Sequence, residues 1–410
     1  MSTEFGEISR KDSLSVSDKA ATVGKPQQRA TRISFFISGA AAATWAALVP
    51  FAKARAGLDA GSLGVLLLCL GVGSIVAMPV AGALVARFGC RRVLCVATFV
   101  VCVTLPLLAA MSTFATLAVT LFVFGAGLGS ADCAFNLQAV MVEMASRKPL
   151  MSGFHGCYSA GGIFGGALVS GLLTLGATPL LSALAGAALA AILLGVAFDG
   201  LLPYGGHSEG PPFALPRGIV LFLGALCFVV FLAEGVMLDW GAVFLVEQRG
   251  VAPSQAGLGF ACFSVSMTVG RLSGDAIVKR LGPRRVVAVG GVLAAFGIVL
   301  ATVIPSWWVC LLGYLLVGLG CSNIVPILFS AVGNQTTMPQ SVAVPAVVAL
   351  GYAGVLAGPA AIGFIARHSG LSSAFLCVAV LLAGVAVSGR ALQLPAAAHS
   401  RQARGSPAPK

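Results

Sequence analysis

Residues 86–94 (ARFGCRRVL) and 279–287 (KRLGPRRVV) carry the same short basic pattern, 193 residues apart. In each stretch an arginine is followed two positions later by a glycine, and two adjacent arginines come shortly after that glycine. Long apolar runs flank both stretches. A connector that recurs between similar runs indicates that the larger unit around it is also repeated. The two basic stretches therefore predict a chain built from two copies of one fold.

The composition is that of a membrane protein. Of the 410 residues, 58% are hydrophobic and 9% are charged, whereas a soluble domain has about 25% charged residues. The 52 glycines suit helices that pack closely in lipid. About 20 apolar residues cross a bilayer core, and twelve runs of that kind are present: 33–51, 62–85, 93–111, 115–142, 150–175, 179–199, 218–246, 255–278, 286–304, 307–332, 341–366 and 371–393.

The positive charges predict the orientation of these runs. If the amino terminus is cytoplasmic, 20 of the 25 Lys and Arg residues lie on the cytoplasmic side, and cytoplasmic connectors carry an excess of these residues. We therefore expect a multi-pass protein of the bacterial cytoplasmic (inner) membrane with both termini in the cytoplasm. The net charge of +12 is explained by topology, so we expect no nucleic-acid partner.

A connector rich in glycine and proline after the sixth run divides the chain into two sets of six runs. At the 193-residue shift Gly57 coincides with Gly250, and Gly127-Leu128-Gly129 resembles Gly318-Leu319-Gly320 at a slightly different shift. The predicted fold is an all-α membrane protein with 12 transmembrane helices in two pseudo-symmetric six-helix bundles. The predicted parts are a disordered cytoplasmic tail (1–32), an N-terminal bundle (33–199), a cytoplasmic linker (200–217), a C-terminal bundle (218–393) and a second tail (394–410).

The first basic stretch resembles the loop signature G-x-x-x-D-R-x-G-R-R of the major facilitator superfamily. Ala86 stands where that family has its aspartate, and Lys279 stands there in the second copy. The resemblance covers residues 33–393 and implies that the connectors take part in gating, without the charge pair that the family aspartate makes. Cys90 stands at the first of the family's paired basic positions. The glycines and arginines of the two loop copies are Gly82, Arg87, Gly89, Arg91, Arg92, Arg280, Gly282, Arg284 and Arg285.

Three further stretches are similar to a branch of bacterial permeases that includes transporters of inositol derivatives of the rhizopine type. They are residues 127–143 (GLGSADCAFNLQAVMVE), 151–166 (MSGFHGCYSAGGIFGG) and 231–245 (FLAEGVMLDWGAVFL). This resemblance implies a substrate that is sugar-like or polyol-like.

Polar side chains within the apolar runs are the candidate binding residues. A charged side chain at mid-membrane depth costs roughly 2.5–3.5 kcal/mol even on insertion scales, so it usually faces a cavity or a partner. Asp132 lies near the middle of the fourth run, with Asn136 one helical turn later, and Glu234 lies near the middle of the seventh. With Asp239 and Asn323, we expect them to line a polar central cavity in which a carboxyl group carries a proton. The alternative is a structural carboxylate that holds two helices together.

Aromatic residues and a histidine supply further candidates. His155 begins the fifth run, and Tyr158 aligns approximately with Tyr352 of the eleventh. A ring with a hydroxyl group suits the face of a sugar, although packing is the simpler role. Trp45 and Trp240 occupy similar places in the two halves, either as interfacial anchors or as stacking platforms for the substrate.

Charged pairs at helical spacing predict a gate. Arg271 lies inside the eighth run with Asp275 one turn later, and an i,i+4 ion pair is the simplest arrangement. We expect this pair to help set the cytoplasmic gate. Glu143 and Arg147 repeat the spacing near the end of the fourth run.

Together these features predict a monomeric secondary transporter that takes up a small sugar-like or polyol-like solute, driven by the proton gradient and without a cofactor. Efflux of a metabolite or drug is the alternative within transport, and a membrane sensor or regulator is the alternative outside it. An enzyme is disfavoured, because the segment Gly206-His207-Ser208-Glu209-Gly210 resembles a hydrolase turn but lacks the preceding strand. No metal site is expected, because the eleven cysteines form no CxxC pair.

Overall fold

The structure, a computed structural model, describes residues 23–205, 214–252 and 255–389. Within these ranges it consists of thirteen α-helices and a short 3₁₀ turn, Phe198–Gly200, without a β-strand. The helices are α1 Lys25–Arg55, α2 Ala60–Ala110, α3 Phe114–Ser146, α4 Met151–Thr174, α5 Pro179–Ala197, α6 Ile219–Asp239, α7 Gly241–Arg249, α8 Gly257–Leu281, α9 Pro283–Val303, α10 Trp307–Cys321, α11 Ile324–Asn334, α12 Gln340–Ser369 and α13 Leu371–Ser388.

These helices supply the twelve predicted spans. Ten helical segments of the described chain are long and apolar enough to cross a membrane. One of them holds two spans, because α2 changes direction at Gly89, where the backbone leaves the helical region. Helix α8, with 25 residues, lies where the remaining span was predicted, and α6–α7 and α10–α11 each lie at one predicted span and contain a break. The predicted class, an all-helical membrane protein, is confirmed.

The first helix begins earlier than the hydropathy indicated. It starts at Lys25 with a proline in its first turn, a position at which proline favours helix initiation. Residues 25–32 are therefore helical, although the sequence predicted a tail up to residue 32. Residues 1–22, 206–213 and 390–410 lie outside the described ranges, and so do the predicted hydrolase-like turn and most of the predicted tails.

The internal repeat is visible in the backbone. Gly89 and Gly282 have φ of 83° and 80°, and each lies at the turn between the second and third span of its half. Gly57 and Gly250, at 62° and 66°, end the first span of each half. Positive φ is readily adopted only by glycine, so the repeated glycines fix the same turns at the same shift.

Close helix contacts repeat at the same shift. A Cβ atom on Gly125 would collide with the carbonyl of Leu70, and one on Gly318 would collide with that of Phe263. Both pairs differ by 193 residues, so the alignment of Gly127-Leu128-Gly129 with Gly318-Leu319-Gly320 at a different shift was wrong. Small residues let two backbones approach where lipid gives no hydrophobic driving force.

The segment after α5 is fastened to the turn at Gly89. Arg91 donates from Nε to the carbonyl of Leu201 at 3.0 Å and from Nη2 to that of Asp199 at 3.2 Å. Its backbone N–H bonds Leu202 O at 2.8 Å, and its guanidinium lies 5.0 Å from the ring centroid of Phe198. We call residues 199–204 the brace, because they tie the end of the first bundle to its own basic turn.

The two bundles are in contact along several helices, and these helices leave room for the site at the centre of the molecule. Helix α2 of the first half packs on α12 of the second, and α4 of the first half packs on α8 of the second. Helix α3 also contacts α11 and α12. The residues that these helices turn toward one another at mid-length form the candidate site.

Candidate functional site

The central polar side chains come from both halves. Asp132 and Ser159 lie on α3 and α4, Glu234 and Arg271 lie on α6 and α8, and Tyr352 lies on α12. Arg271 is buried, and the other four are half-buried. Polar groups at this depth, partly accessible between two bundles, are the arrangement expected for a solute pathway.

The central ion pair joins Arg271 to Glu234. Arg271 Nη2 lies 3.1 Å from Glu234 Oε1, and the exposed fractions of the two side chains are 7% and 18%. Arg271 Nη1 donates to Ser159 Oγ at 3.0 Å, so the pair is also linked to the first half. Ser159 was missed by the sequence reasoning; the only signal was a hydroxyl residue within an apolar helix.

The predicted ion pair between Arg271 and Asp275 is wrong. Asp275 lies one turn along α8, but its Oδ1 accepts the N–H of Gly153 on α4, at 3.1 Å. Arg271 instead contacts Glu234, which is 37 residues away in the chain. The physical reason is that a buried guanidinium without a carboxylate is strongly destabilising. Glu234 of α6 supplies that carboxylate to Arg271, and Asp275 is bonded to the backbone of α4 instead.

A second cluster surrounds Asp132. Asn136 Nδ2 donates to the Asp132 carbonyl at 2.9 Å and to its Oδ1 at 3.3 Å, so the two side chains share a face as the spacing predicted. The side chain of Tyr352 lies beside the Asp132 carboxylate, and Tyr158 lies near both Asp132 and Arg271. The two predicted tyrosines therefore meet one carboxylate from opposite halves.

His155 lies between two phenylalanines, with its ring centroid 5.1 Å from that of Phe35 and 5.7 Å from that of Phe329. Its Nε2 is buried and makes no hydrogen bond to any described residue. A buried polar atom left without a partner costs about 1–3 kcal/mol, so such atoms near the centre are candidate contacts for a solute. The others of this kind on central helices are Asn136 Oδ1, Arg271 Nε and Asn323 Oδ1.

Asn323 lies at the break between α10 and α11, where its Nδ2 donates to the carbonyl of Gly270, the residue before Arg271, at 3.0 Å. The structure does not bring the remaining predicted binding residues to this centre. Asp239 is exposed at the end of α6. Trp45 is 4% exposed and packs in the core of the first half, and Trp240 lies at the α6–α7 break next to Gly363.

At the end of the bundle that carries the two basic turns, two carboxylates meet the first turn of α4. Glu143 Oε2 accepts from the N–H groups of Leu150 and Met151 at 2.7 and 2.8 Å, and Asp275 accepts from Gly153. The predicted Glu143–Arg147 pair is therefore replaced by a cap. Free N–H groups and the helix dipole make this end attractive to anions. We call the contact of Asp275 with α4 the carboxylate seam.

The matching contact on the other side of the molecule has no charge. A Cβ atom on Gly82 of α2 would lie 2.5 Å from both Ser341 O and Pro345 Cγ in the first turns of α12. We call this contact the glycine seam. The remaining basic residues of the loop pattern lie at the ends of α2 and α8 and the starts of the following spans, where Arg92, Arg280 and Arg285 are exposed, and Arg87 lies 5.1 Å from the ring centroid of Phe88.

Comparisons with known proteins assign the family. An uncharacterized MFS-type transporter of Yersinia pestis is 54% identical over 381 residues, which cover 93% of this chain and 99% of that protein. The chain belongs to the major facilitator superfamily. The sequence pattern of that superfamily matches residues 219–410, and the membrane protein MosC of Rhizobium meliloti is 31% identical over 85% of the chain and 86% of its own length.

Solved structures show the same fold. The crystal structure of the transporter FucP in the outward conformation superposes with a TM-score of 0.76 at 18% identity, covering 90% of this chain and 98% of FucP. Membership of the superfamily makes the protein a multi-pass membrane transporter that binds small molecules, and not an enzyme. The central polar cluster lies where such a protein holds its solute, at the interface of the two repeats.

Proposed function

We propose that the protein is a secondary active transporter that takes up a small polar organic solute of the sugar or polyol type together with a proton. The observation that carries this proposal is the central pair of acidic groups, Asp132 beside Tyr352 and Glu234 paired with Arg271, at the interface of the halves. A solute held there contacts both bundles at once. FucP is described as a fucose:proton symporter of E. coli, which supports this class of solute and of coupling.

Alternating access follows from the two seams. With the basic turns in the cytoplasm, the glycine seam and the carboxylate seam close the cytoplasmic end. Opening toward the cytoplasm requires α8 to leave the first turn of α4 and α2 to leave the first turn of α12. The binding residues are fixed to helices that move apart, so the solute is released on the side that opens.

The two acids have different neighbours, which divides their roles. Asp132 is bonded to the neutral amide of Asn136 and lies beside the hydroxyl group of Tyr352, so a proton on Asp132 removes a charge that no described cation pairs with. Glu234 is bonded to Arg271, and its loss of charge leaves a buried guanidinium unpaired. We therefore assign the transported proton to Asp132. We assign to Glu234 the role of neutralising the charge of Arg271.

The test is uptake into proteoliposomes with an imposed pH gradient, scored across labelled sugars and polyols. Asp132→Asn removes the proton site, so we expect gradient-driven accumulation to fall at least tenfold while exchange of solute across the membrane without a gradient continues. Glu247→Gln, at an exposed carboxylate of α7, is the matched control and should leave both activities unchanged. Accumulation that is unaffected by Asp132→Asn would remove the coupling assignment, and flux from inside to outside alone would favour efflux.

A further inference from the structure

We propose that the transported solute carries a carboxylate beside its hydroxyl groups, as a sugar acid does, and that Arg271 binds this carboxylate. The inference rests on the proposed function and narrows its substrate class. It begins from a guanidinium buried at the centre of a membrane protein, which is an expensive residue to place there. A buried ion pair alone gives little or no stability compared with apolar residues, so structure by itself does not account for Arg271.

Arg271 is only partly used by its protein partners. A guanidinium has five N–H donors in a planar fork. Glu234 contacts a single nitrogen, Nη2, with its two oxygens at 3.1 and 3.4 Å, and Ser159 takes Nη1. Nε is buried and makes no hydrogen bond to any described residue. The edge formed by Nε and Nη2 therefore lacks the two-nitrogen contact by which arginine prefers to bind a carboxylate.

The groups around Arg271 suit the remainder of a hydroxylated acid. On the side of α4, Ser159 and Tyr158 present hydroxyl groups, and His155 presents an unpartnered ring nitrogen. On the side of α3, the carboxylate of Asp132 and the unpartnered Oδ1 of Asn136 are acceptors. A cation that can bind an acid group and acceptors that can bind hydroxyl groups therefore lie on neighbouring helices. A neutral polyol would require only the acceptors.

The charges explain how an anion enters a site that already holds two acids. Ionised Asp132, Glu234 and Arg271 sum to one negative charge, so an incoming carboxylate is repelled unless a proton enters with it. When the solute carboxylate binds Arg271 beside Glu234, Asp132 takes up that proton from the outer water and releases it to the inner water. The other titratable groups around Asp132 are Cys133 of α3, Tyr158 of α4 and Tyr352 of α12. One carboxylate and one proton cross together without net charge.

Matched pairs of solutes test the inference. The first pair is gluconate and sorbitol, and the second pair is glucuronate and glucose. Uptake of each labelled solute into proteoliposomes with an imposed pH gradient is measured alone and then with a hundredfold excess of the other member of its pair. We expect the acids to accumulate and to displace the neutral partners. Arg271→Lys keeps the charge but loses the fork, so acid uptake should fall about 10–100-fold.

Controls separate folding from binding. The double variant Arg271→Gln with Glu234→Gln removes both charges together and should remain folded by thermal unfolding, yet show no preference for acids. Arg367→Gln, at an exposed arginine in the last turn of α12, should behave as the parent. Accumulation of sorbitol or glucose without competition from the acids would overturn the carboxylate assignment and leave the transport proposal standing. If no member of either pair moves with the gradient, the proposed function fails as well.

Discussion

The two halves use one backbone design with different chemistry at their closing contacts. In the second half Asp275 of α8 accepts an N–H from the first turn of α4, whereas Gly82 of α2, at the matching position 193 residues earlier, packs directly on the first turn of α12. A carboxylate cap depends on charge and is weakened by water, but a backbone contact depends only on fit. The same end of the molecule is therefore held by one polar and one steric contact.

The turns at Gly89 and Gly282 show the same contrast. Both glycines have positive φ, but Gly89 lies under the brace, so that a Cβ atom would collide with the carbonyl of Pro203. Around Gly282 no described atom lies within 4 Å of such a Cβ. The two halves thus share the backbone conformation of this turn, and the residues packed against it differ.

The largest effect is expected from alanine at these turns. Gly89→Ala and Gly282→Ala both force a side chain into a backbone region that is nearly restricted to glycine, at a cost of about 1–3 kcal/mol. Gly89→Ala adds a collision with the brace, which costs about 1–3 kcal/mol more. Denaturant unfolding in detergent should therefore show a larger loss of unfolding free energy for Gly89→Ala than for Gly282→Ala. Equal losses would mean that the brace moves away without cost.

An intermediate effect is expected at the glycine seam. In Gly82→Ala the new methyl group meets Ser341 O and Pro345, so the closed end should lose about 1–3 kcal/mol. Hydrogen exchange at residues 340–345 should become faster, and solute accumulation should fall. Gly195→Ala on α5 is the control, because a Cβ atom there meets no described atom within 4 Å. Unchanged exchange in Gly82→Ala would show that this seam yields to a small shift of α12.

The smallest effect is expected at the carboxylate seam. Asp275→Asn keeps an oxygen that can accept from Gly153 but removes the charge, so the closed end should lose about 0.3–1 kcal/mol, and up to ~2 because the contact is partly buried. Hydrogen exchange at residues 151–155 should rise, and the difference from the parent should shrink as salt increases. A difference that is independent of salt would mean that the hydrogen bond matters and the charge does not.

The sequence predicted the spans and the repeat because hydropathy and glycine positions are local signals. The apolar runs predicted where the helices lie, and the glycines at 57, 89, 250 and 282 lie at turns with matching backbone conformation. The start of α1 at Lys25 was missed, because the first two turns of the helix are polar and a hydropathy run begins only at Ile33.

The site was predicted only where its contacts are local. Asp132 and Asn136 are one turn apart, so their shared face follows from helix geometry. The partner of Arg271 was not predictable in this way, because spacing favoured Asp275 on the same helix and said nothing about Glu234 on another. Which buried acid contacts a buried cation depends on how the helices pack. The distance between side chains on two different helices cannot be obtained from a single sequence.

The brace also bears on how the protein can be assembled. Because residues 199–204 are held by Arg91 within the first bundle, the covalent link from one bundle to the other runs from Gly205 to Gly218, while both seams are contacts between helices. The two bundles should therefore recognise each other when they are made as separate polypeptides in one cell. A gene cut within this stretch would give a split protein whose pieces copurify, and pieces that separate during purification would show that the seams do not hold the bundles together.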